Sequence, residues 1–165
     1  NHEWFWDKGD ERKLYSLESL VDMYYRSVGH NSTLIMGLTP DDRGLVPEAD
    51  AQRCKQWGAA IQHIFSRKVG EASGETKDLV LQAESPMTFD HIVLQEDIRE
   101  GERVREFVVE ISKDGAWAEV ARGSCIGHKY IHKLPQAVTT SAVRLRVLKS
   151  TAPPRIKSLA LYDAP

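Results

Sequence analysis

The chain has 165 residues, 41% of them hydrophobic and 28% charged, with a formal net charge of −2 at pH 7. This length fits one domain or two small ones of an ordinary globular protein. The charge balance argues against a nucleic-acid partner, which needs a basic face, and no apolar run reaches the roughly 20 residues of a membrane-spanning helix.

The chain begins at Asn1 rather than Met, without an apolar signal segment, which predicts a processed or partial chain. The aromatic cluster Trp4-Phe5-Trp6 follows. Tryptophan is costly to expose, so this cluster needs either a core or a ligand. In an extended segment Trp4 and Trp6 point the same way, and Phe5 points to the opposite face.

A helix is predicted next, with Ser16 as its N-cap and Gly29 as its stop. Residues 33–38 then form a short continuous apolar run, which is typical of a strand buried on both faces in a parallel sheet. The predicted helix carries one apolar stripe at helical spacing: Leu17, Leu20, Val21, Tyr24 and Val28.

A polar loop separates this run from a second predicted helix, which begins near Pro47. Within the loop, Asp41, Asp42 and Arg43 are expected to supply a turn-stabilising ion pair rather than chemistry. Cys54 and Cys125 lie far apart, and we expect both to be reduced, buried thiols. The predicted buried stripe of the second helix is Ala51, Cys54, Gly58, Ile61 and Phe65.

After residue 67 the apolar period changes to two, as in Val143, Leu145 and Val147. Asp114-Gly115 is a hairpin-turn signal, and Trp117 just beyond it is expected in the core. Roughly seven short strands with turn signals between them predict an antiparallel β-sandwich.

The first segment is too short for the fold that it suggests. A buried parallel strand needs parallel neighbours and helices on both faces, and a closed (β/α)8 barrel takes about 250 residues. We therefore predict an α+β chain in two parts. Residues 1–66 are the tail end of a larger domain whose beginning is missing, and residues 67–165 are an antiparallel β-sandwich.

Two long motifs carry a family resemblance. "WFW", "SLESLVDMYYRSVGHNSTLIMGL", "TPDDRGL" and "WGAAI" together resemble the end of the catalytic domain of α-L-fucosidases in glycoside hydrolase family 29. "FDHIVLQEDIREGERVREFVVE" and "WAEVARGSCIGHKYI" resemble the discoidin-like sandwich that follows it in many members. The chain departs from the family pattern at Trp6, His30, Gly37 and Thr39.

The resemblance implies that residues 1–66 are the C-terminal βα piece of a (β/α)8 barrel and that residues 67–165 are a discoidin- or jelly-roll-like β-sandwich. It also implies a retaining exo-glycosidase with an Asp nucleophile and a Glu acid/base. Both are expected upstream, so no catalytic residue is assigned to this chain. Trp4 matches the family's pocket tryptophan, and Trp4 and Trp6 are the predicted substrate-binding residues, forming an aromatic wall for the apolar patch of fucose. Neither a metal nor a cofactor is implied.

The implied partners are a fucosylated oligosaccharide or glycoprotein substrate and the missing N-terminal part of the barrel, and the implied location is the bacterial periplasm or the extracellular space. The motif favours α1,3/4 over α1,2 linkages. Loop-fixing or interdomain contacts are expected from Glu96, Arg103, His128 and Lys129. The alternative is a non-catalytic carbohydrate- or protein-binding sandwich, because both catalytic carboxylates are absent from the chain.

Overall fold

A computed structural model describes residues 5–165. Two α-helices precede six β-strands, and short 3-10 turns lie at Asp10–Lys13 and Ile98–Glu100. The helices are α1 (Leu17–Arg26) and α2 (Glu48–Ile64). The strands are β1 (Lys68–Gly74), β2 (Asp78–Glu96), β3 (Val104–Lys113), β4 (Ala116–Gly123), β5 (Tyr130–Ser150) and β6 (Ile156–Tyr162).

Helix α1 has the predicted beginning and end. The Ser16 hydroxyl accepts a hydrogen bond from the Ser19 N–H at 3.1 Å, which satisfies one of the free donors of the first turn. Gly29 is buried just after the helix, where a Cβ would lie 2.4 Å from the Tyr25 carbonyl oxygen. Only glycine allows so close an approach, so the helix ends where the sequence predicts.

The strand predicted over residues 33–38 is wrong in this structure. These residues belong to no strand or helix, and Ile35 is 87% exposed. A strand exists only where a neighbour accepts and donates its ladder hydrogen bonds. No strand of residues 5–165 pairs with this segment, and Ile35 and Leu38 face solvent while Leu34 and Met36 are half-buried.

Helix α2 begins after Pro47, as predicted, but the predicted buried stripe is wrong at its centre. Cys54 and Gly58 are exposed, because α1 lies against a different side of the helix. On that side Asp50 is buried, and the Arg53 guanidinium donates to the Tyr15 carbonyl oxygen. Neither cysteine forms a disulfide; Cys125 is half-buried.

The six strands form one antiparallel, curled sheet in the order β1-β6-β2-β5-β3-β4. The sequence suggested seven short strands, whereas β2 and β5 span 19 and 21 residues. The second half of β2 pairs with β6 and the start of β5, and its first half pairs with the later part of β5. Each long strand thus runs through both layers of the sandwich, with register shifts where it bends.

The core lies between the two layers and draws on every strand. In β2, Ile92 and Leu94 are fully buried in it, while Val93 points outward and is covered by α1. The Asp114-Gly115 turn is confirmed, with φ of 52° and 78° at its two residues. Trp117, however, is not a core residue: it is 38% exposed on the outer face of β4.

Candidate functional site

The aromatic cluster at the start of the chain is described only in part. Trp4 lies outside the described residues, so its predicted position beside Trp6 stays a prediction. Trp6 is half-buried, and Phe5 is 85% exposed. The side chain of Phe5 therefore lies in solvent in this structure and is not packed into a core.

A tight turn restrains the backbone directly after Trp6. The Asp7 N–H donates to Asp10 Oδ2 at 2.9 Å, and the Asp10 N–H donates to the Asp7 carbonyl oxygen at 3.2 Å. Gly9 has a φ of 96°, which suits a glycine. The Asp10 carboxylate is 2% exposed and lies 2.8 Å from Lys13 Nζ. Trp6 is thus attached to an ordered turn.

The loop after the exposed strand-like run is held by the predicted ion pair. Asp41 Oδ1 accepts hydrogen bonds from the N–H groups of Arg43 and Leu45 at 2.9 and 3.1 Å. The Arg43 guanidinium lies 2.6 Å from Asp41 Oδ2, and its hydrogen bond lowers the pKa of Asp41. The predicted role of this pair as a turn stabiliser is confirmed.

We call residues 33–46 the exposed segment. Its apolar side chains are uncovered: Ile35 is 87%, Leu45 56%, Val46 46% and Leu38 43% exposed. No hydrogen bond joins the backbone of residues 33–40 to the rest of residues 5–165. An apolar segment of this length without partners is typical of an interaction surface.

A buried polar chain ties α1 to the sandwich. Tyr25 of α1 stacks on His91 of β2, and its hydroxyl lies 2.7 Å from His91 Nε2. His91 is 1% exposed, and its Nδ1 lies 2.7 Å from Asp90 Oδ1. Burial, with a contribution from Asp90, raises the pKa of Tyr25 to about 12. Phe65 closes the cluster with its edge against His91, 5.6 Å between ring centroids.

The same surroundings set the state of Asp90. Burial raises the pKa of Asp90, but hydrogen bonds from the Ala164 N–H and from His91 outweigh it, so the pKa lies below its usual value. The carboxylate is therefore charged at neutral pH, and it fixes the His91 ring against Tyr25. The arrangement resembles a relay, yet its members are enclosed by packed aromatic rings, so we assign it a structural role.

A second tie lies at Asn31, which has a φ of 62°. Its N–H donates to the Lys129 carbonyl oxygen at 2.8 Å, and its Oδ1 accepts from the His128 N–H at 2.6 Å. Its Nδ2 donates to Glu102 Oε2 at 2.7 Å. Both ends of the side-chain amide are thus engaged, which leaves no free amide for a glycan at the Asn31-Ser32-Thr33 sequon.

The predicted loop-fixing contacts of the sandwich are confirmed for the side chains of Glu96 and Arg103, whereas His128 and Lys129 contribute backbone groups. Glu96 is 3% exposed, and its carboxylate accepts three backbone N–H groups, from Arg103, Val104 and Gly127, at 2.9 to 3.0 Å. The Arg103 guanidinium donates to the Pro153 carbonyl oxygen at 2.8 Å. One buried carboxylate therefore holds the loops before β3 and before β5 together.

The outer face of the sandwich carries a charge network around Trp117. Arg144 Cζ lies 4.4 Å from the centroid of the Trp117 ring, a cation–π geometry. Glu110 is 6% exposed and pairs with Arg144 and Arg146 at 2.8 and 3.0 Å. Burial raises the pKa of Glu110, but the hydrogen bonds from Arg146 and Arg144 outweigh it and lower the pKa.

A cleft of about 610 Å³ lies at the loop end of the sandwich, between the β1–β2 turn and the loop after β2. Its two arginines are paired: Arg155 lies 2.9 Å from Glu100, and Arg99 hydrogen-bonds to Asp97 at 2.9 Å. Residues 5–165 contain no cluster of three potential metal ligands. Within the same range, no helix has the length and apolarity needed to cross a bilayer.

The curled antiparallel sheet, with a helical extension on one outer face, defines a discoidin-like β-sandwich. The family model described as F5/8 type C domain matches residues 65–160, more than half of the chain. The chain therefore belongs to the F5/8 type C domain family.

Relatives extend the match to the helices. An α-L-fucosidase structure from Bacteroides thetaiotaomicron VPI-5482 is 41% identical, with a TM-score of 0.93, over all of this chain and 38% of that one. A glycoside hydrolase family 29 structure from an unknown rumen bacterium is 30% identical, with a TM-score of 0.84, over 98% of this chain and 31% of that one. The α-L-fucosidase 1 of Oryza sativa is 25% identical over 96% of this chain and 37% of its own length.

These matches confirm the resemblance to family 29 α-L-fucosidases. The chain spans little more than a third of the length of the relatives that it matches, and it covers their C-terminal part. The match to the Bacteroides thetaiotaomicron VPI-5482 structure covers all of this chain and so includes residues 5–66, which lie outside the sandwich.

The sequence did not reveal the tie through Tyr25, His91 and Asp90, because the three residues meet only when α1 lies on β2. The sequence did contain one signal, because His91 stands within the largely apolar run from Phe89 to Leu94. A polar side chain that is buried in such a run needs hydrogen-bond partners. Asn31 carried a weaker signal, since asparagine is one of the few residues that tolerate a positive φ.

Proposed function

We infer that this chain is the C-terminal part of a retaining exo-α-L-fucosidase that removes terminal α-L-fucose from glycans. The observation that carries this proposal is the match, over the whole chain, to an α-L-fucosidase structure at 41% identity. The nucleophile and the acid/base lie in the part of the relatives that this chain does not span. Alone, the 165-residue chain is expected to be inactive.

The contribution of this chain to substrate binding is an aromatic wall, made by Trp4 and Trp6. Fucose is a 6-deoxy sugar, so its methyl group and one face of C–H bonds form an apolar patch that an indole ring covers well. The half-buried position of Trp6 and the ordered turn behind it support this role. We assign α1,3/4-linked fucose as the substrate, in the periplasm or outside the cell.

The partner of the exposed segment is the remainder of the barrel. Ile35 and Leu38 of this segment face solvent here and would be buried in the barrel, where a neighbouring parallel strand would also pair the backbone of residues 33–38. The exposed side of α2, with Cys54 and Gly58, is small enough for close packing against the same partner. The sandwich then holds the barrel edge in place through its contacts with α1 and residues 29–32.

The test compares two aryl glycosides on the whole protein: an α-L-fucoside and an α-L-galactoside, which differ only by a hydroxyl at C6. The wild type should prefer the fucoside by about 100-fold, as an apolar pocket does. Trp4→Ala and Trp6→Ala should each lower kcat/KM for the fucoside roughly 10- to 100-fold and reduce this preference.

Trp117→Ala is the matched control, since it removes an indole from the sandwich face and should leave both rates unchanged. Absence of fucoside hydrolysis by the whole protein would refute the activity. Equal losses on both substrates would refute the apolar wall while leaving the activity in place.

A second function has one observation in its favour. Trp117 is 38% exposed, with its ring ordered by Arg144, and exposed aromatics are common in carbohydrate- and protein-binding modules. If the sandwich binds glycans by itself, a fucosylated oligosaccharide should quench the tryptophan fluorescence of the isolated chain. Trp117→Ala should abolish this response, and Trp6→Ala should not.

A further inference from the structure

Asn31 lies where the chain leaves the sandwich and enters the exposed segment. Before it, the Gly29 carbonyl oxygen accepts from the Ile131 N–H at 2.9 Å, and His30 forms an isolated antiparallel bridge with Tyr130. The next residue, Ser32, donates its N–H to the Ser27 carbonyl oxygen at 3.0 Å, and this is the last backbone hydrogen bond before residue 41 within residues 5–165. The direction of the exposed segment is therefore set within residues 29–32.

The left-handed backbone at Asn31 turns the chain, and its side chain clamps the turn to two sandwich loops. Its Oδ1 binds the His128 N–H, and its Nδ2 binds Glu102, 71 residues further along the chain. A Cβ on Gly127 would lie 2.2 Å from Asn31 Nδ2, so the loop before β5 is shaped around this amide. Glycine at position 31 would allow the same φ but would lose both contacts.

The clamp is itself anchored in the sandwich. Gly127 donates its N–H to buried Glu96, and the Gly127 carbonyl oxygen accepts from the Glu96 N–H at 2.8 Å. Glu102 is held by Arg105, whose guanidinium donates to the Glu102 carbonyl oxygen at 3.1 Å. A movement of either sandwich loop is therefore passed directly to the Asn31 amide.

We propose that Asn31 is a positioning residue: with Glu102 and the His128 N–H it fixes the direction in which the exposed segment leaves the sandwich. The part of this inference that concerns catalysis rests on the proposed function, in which the exposed segment joins the barrel edge beside the aromatic wall. The direction itself is a property of this chain and does not depend on any activity.

The test exploits the polarity of the amide. Asn31→Asp keeps a short side chain that tolerates the φ and accepts from the His128 N–H, but it places two carboxylates against each other. Adding Glu102→Gln restores the hydrogen bond in the opposite direction, because the amide at position 102 can donate to the carboxylate at position 31. The double variant Asn31→Asp/Glu102→Gln should therefore behave like the wild type, while the single Asn31→Asp variant should not.

The first readout is a distance distribution in the 165-residue chain, with the labelled chain diluted in an excess of unlabelled chain so that only distances within one molecule are recorded. Spin labels are placed at Ile35→Cys in the exposed segment and Leu148→Cys on β5, both solvent-exposed positions, after Cys54→Ser and Cys125→Ser. The distribution should broaden at least twofold in Asn31→Asp and in Asn31→Gly, and narrow again in the double variant. An unchanged distribution in Asn31→Asp would overturn the proposal.

The second readout is kinetic and uses the whole protein with an aryl α-L-fucoside. Asn31→Asp should raise KM at least fivefold, and the double variant should restore it. If the distances change and the wild type is inactive toward fucosides, the proposed function fails and the positioning role stands. If the wild type is active and Asn31→Asp changes only the melting temperature, the residue is merely structural and the proposal is overturned.

Discussion

Single side chains in this protein connect its helical part to its sandwich, and Tyr25 among them has a measurable pH signature. Its hydroxyl is buried against His91, and its pKa is raised from 10.0 to about 12. The unfolded chain ionises this tyrosine near its ordinary value, whereas the folded chain resists ionisation. The stability that Tyr25 contributes is thus complete below pH 10.0 and is lost as the pH rises toward 12.

We therefore expect the free energy of unfolding to fall over this range more steeply in the wild type than in Tyr25→Phe. Urea unfolding at a series of pH values measures both slopes. The phenylalanine variant lacks the hydrogen bond to His91 and starts from a lower stability, so the comparison is between slopes and not between absolute values. Parallel slopes would show that the Tyr25 hydroxyl ionises as freely in the folded chain as in the unfolded chain.

At the scale of strands, β3 and β4 meet closely at Gly123. A Cβ there would lie 2.5 Å from Cζ of Phe107, whose ring is fully buried and packs edge-on against Tyr130. Gly123→Ala should destabilise the fold by roughly 1–3 kcal/mol through overpacking. This loss is larger than the stabilisation of about 0.5–1 kcal/mol that alanine gives relative to glycine inside a strand.

The matched control for Gly123→Ala is Gly37→Ala, since a Cβ at Gly37 has no neighbour within 4 Å. That variant should change the free energy of unfolding by less than about 0.5 kcal/mol. The midpoint of urea unfolding measures both. Equal midpoints for the two variants would mean that the Phe107 ring moves aside without loss, and that the two strands are less tightly packed than they lie here.

The elements that sequence reasoning found are those whose causes are local. Ser16 caps α1 through a residue three positions away, and the Asp114-Gly115 turn needs only its own backbone. The run at residues 33–38 was correctly read as apolar, but a strand also needs a partner, and partners are not encoded in the segment itself. Trp117 was misplaced for a similar reason, because alternation along β4 does not say which face Arg144 will cover.

The site divides in the same way. The ion pair of Asp41 and Arg43 joins residues two apart and was predictable from their spacing. The clamp joins Asn31 to Glu102 and the chain near His128, and these segments meet only after the sandwich has folded. The family motif marks the Asn31 region without saying what its amide holds, so the positioning role is visible only in three dimensions.

For the whole molecule, the uncovered apolar side chains of the exposed segment decide how the 165-residue chain behaves alone. Burying one isoleucine contributes roughly 1.5–3 kcal/mol, and Ile35, at 87% exposure, offers nearly its full surface. We expect the isolated chain to self-associate through this segment. Ile35→Ser should raise the monomer fraction in sedimentation velocity experiments and, in the whole protein, lower stability by leaving a cavity against the barrel.

Val80→Ser is the matched control for Ile35→Ser, because Val80 is also exposed, at 46%, but lies on the sandwich face among charged neighbours. It should change neither the monomer fraction nor the stability of the whole protein. The two effects of Ile35→Ser must occur together, since one surface serves both contacts. Ile35→Ser could instead raise the monomer fraction of the isolated chain and leave the stability of the whole protein unchanged. The exposed segment would then drive association of the isolated chain without facing the barrel. In that case the proposed packing of this segment against the barrel is wrong.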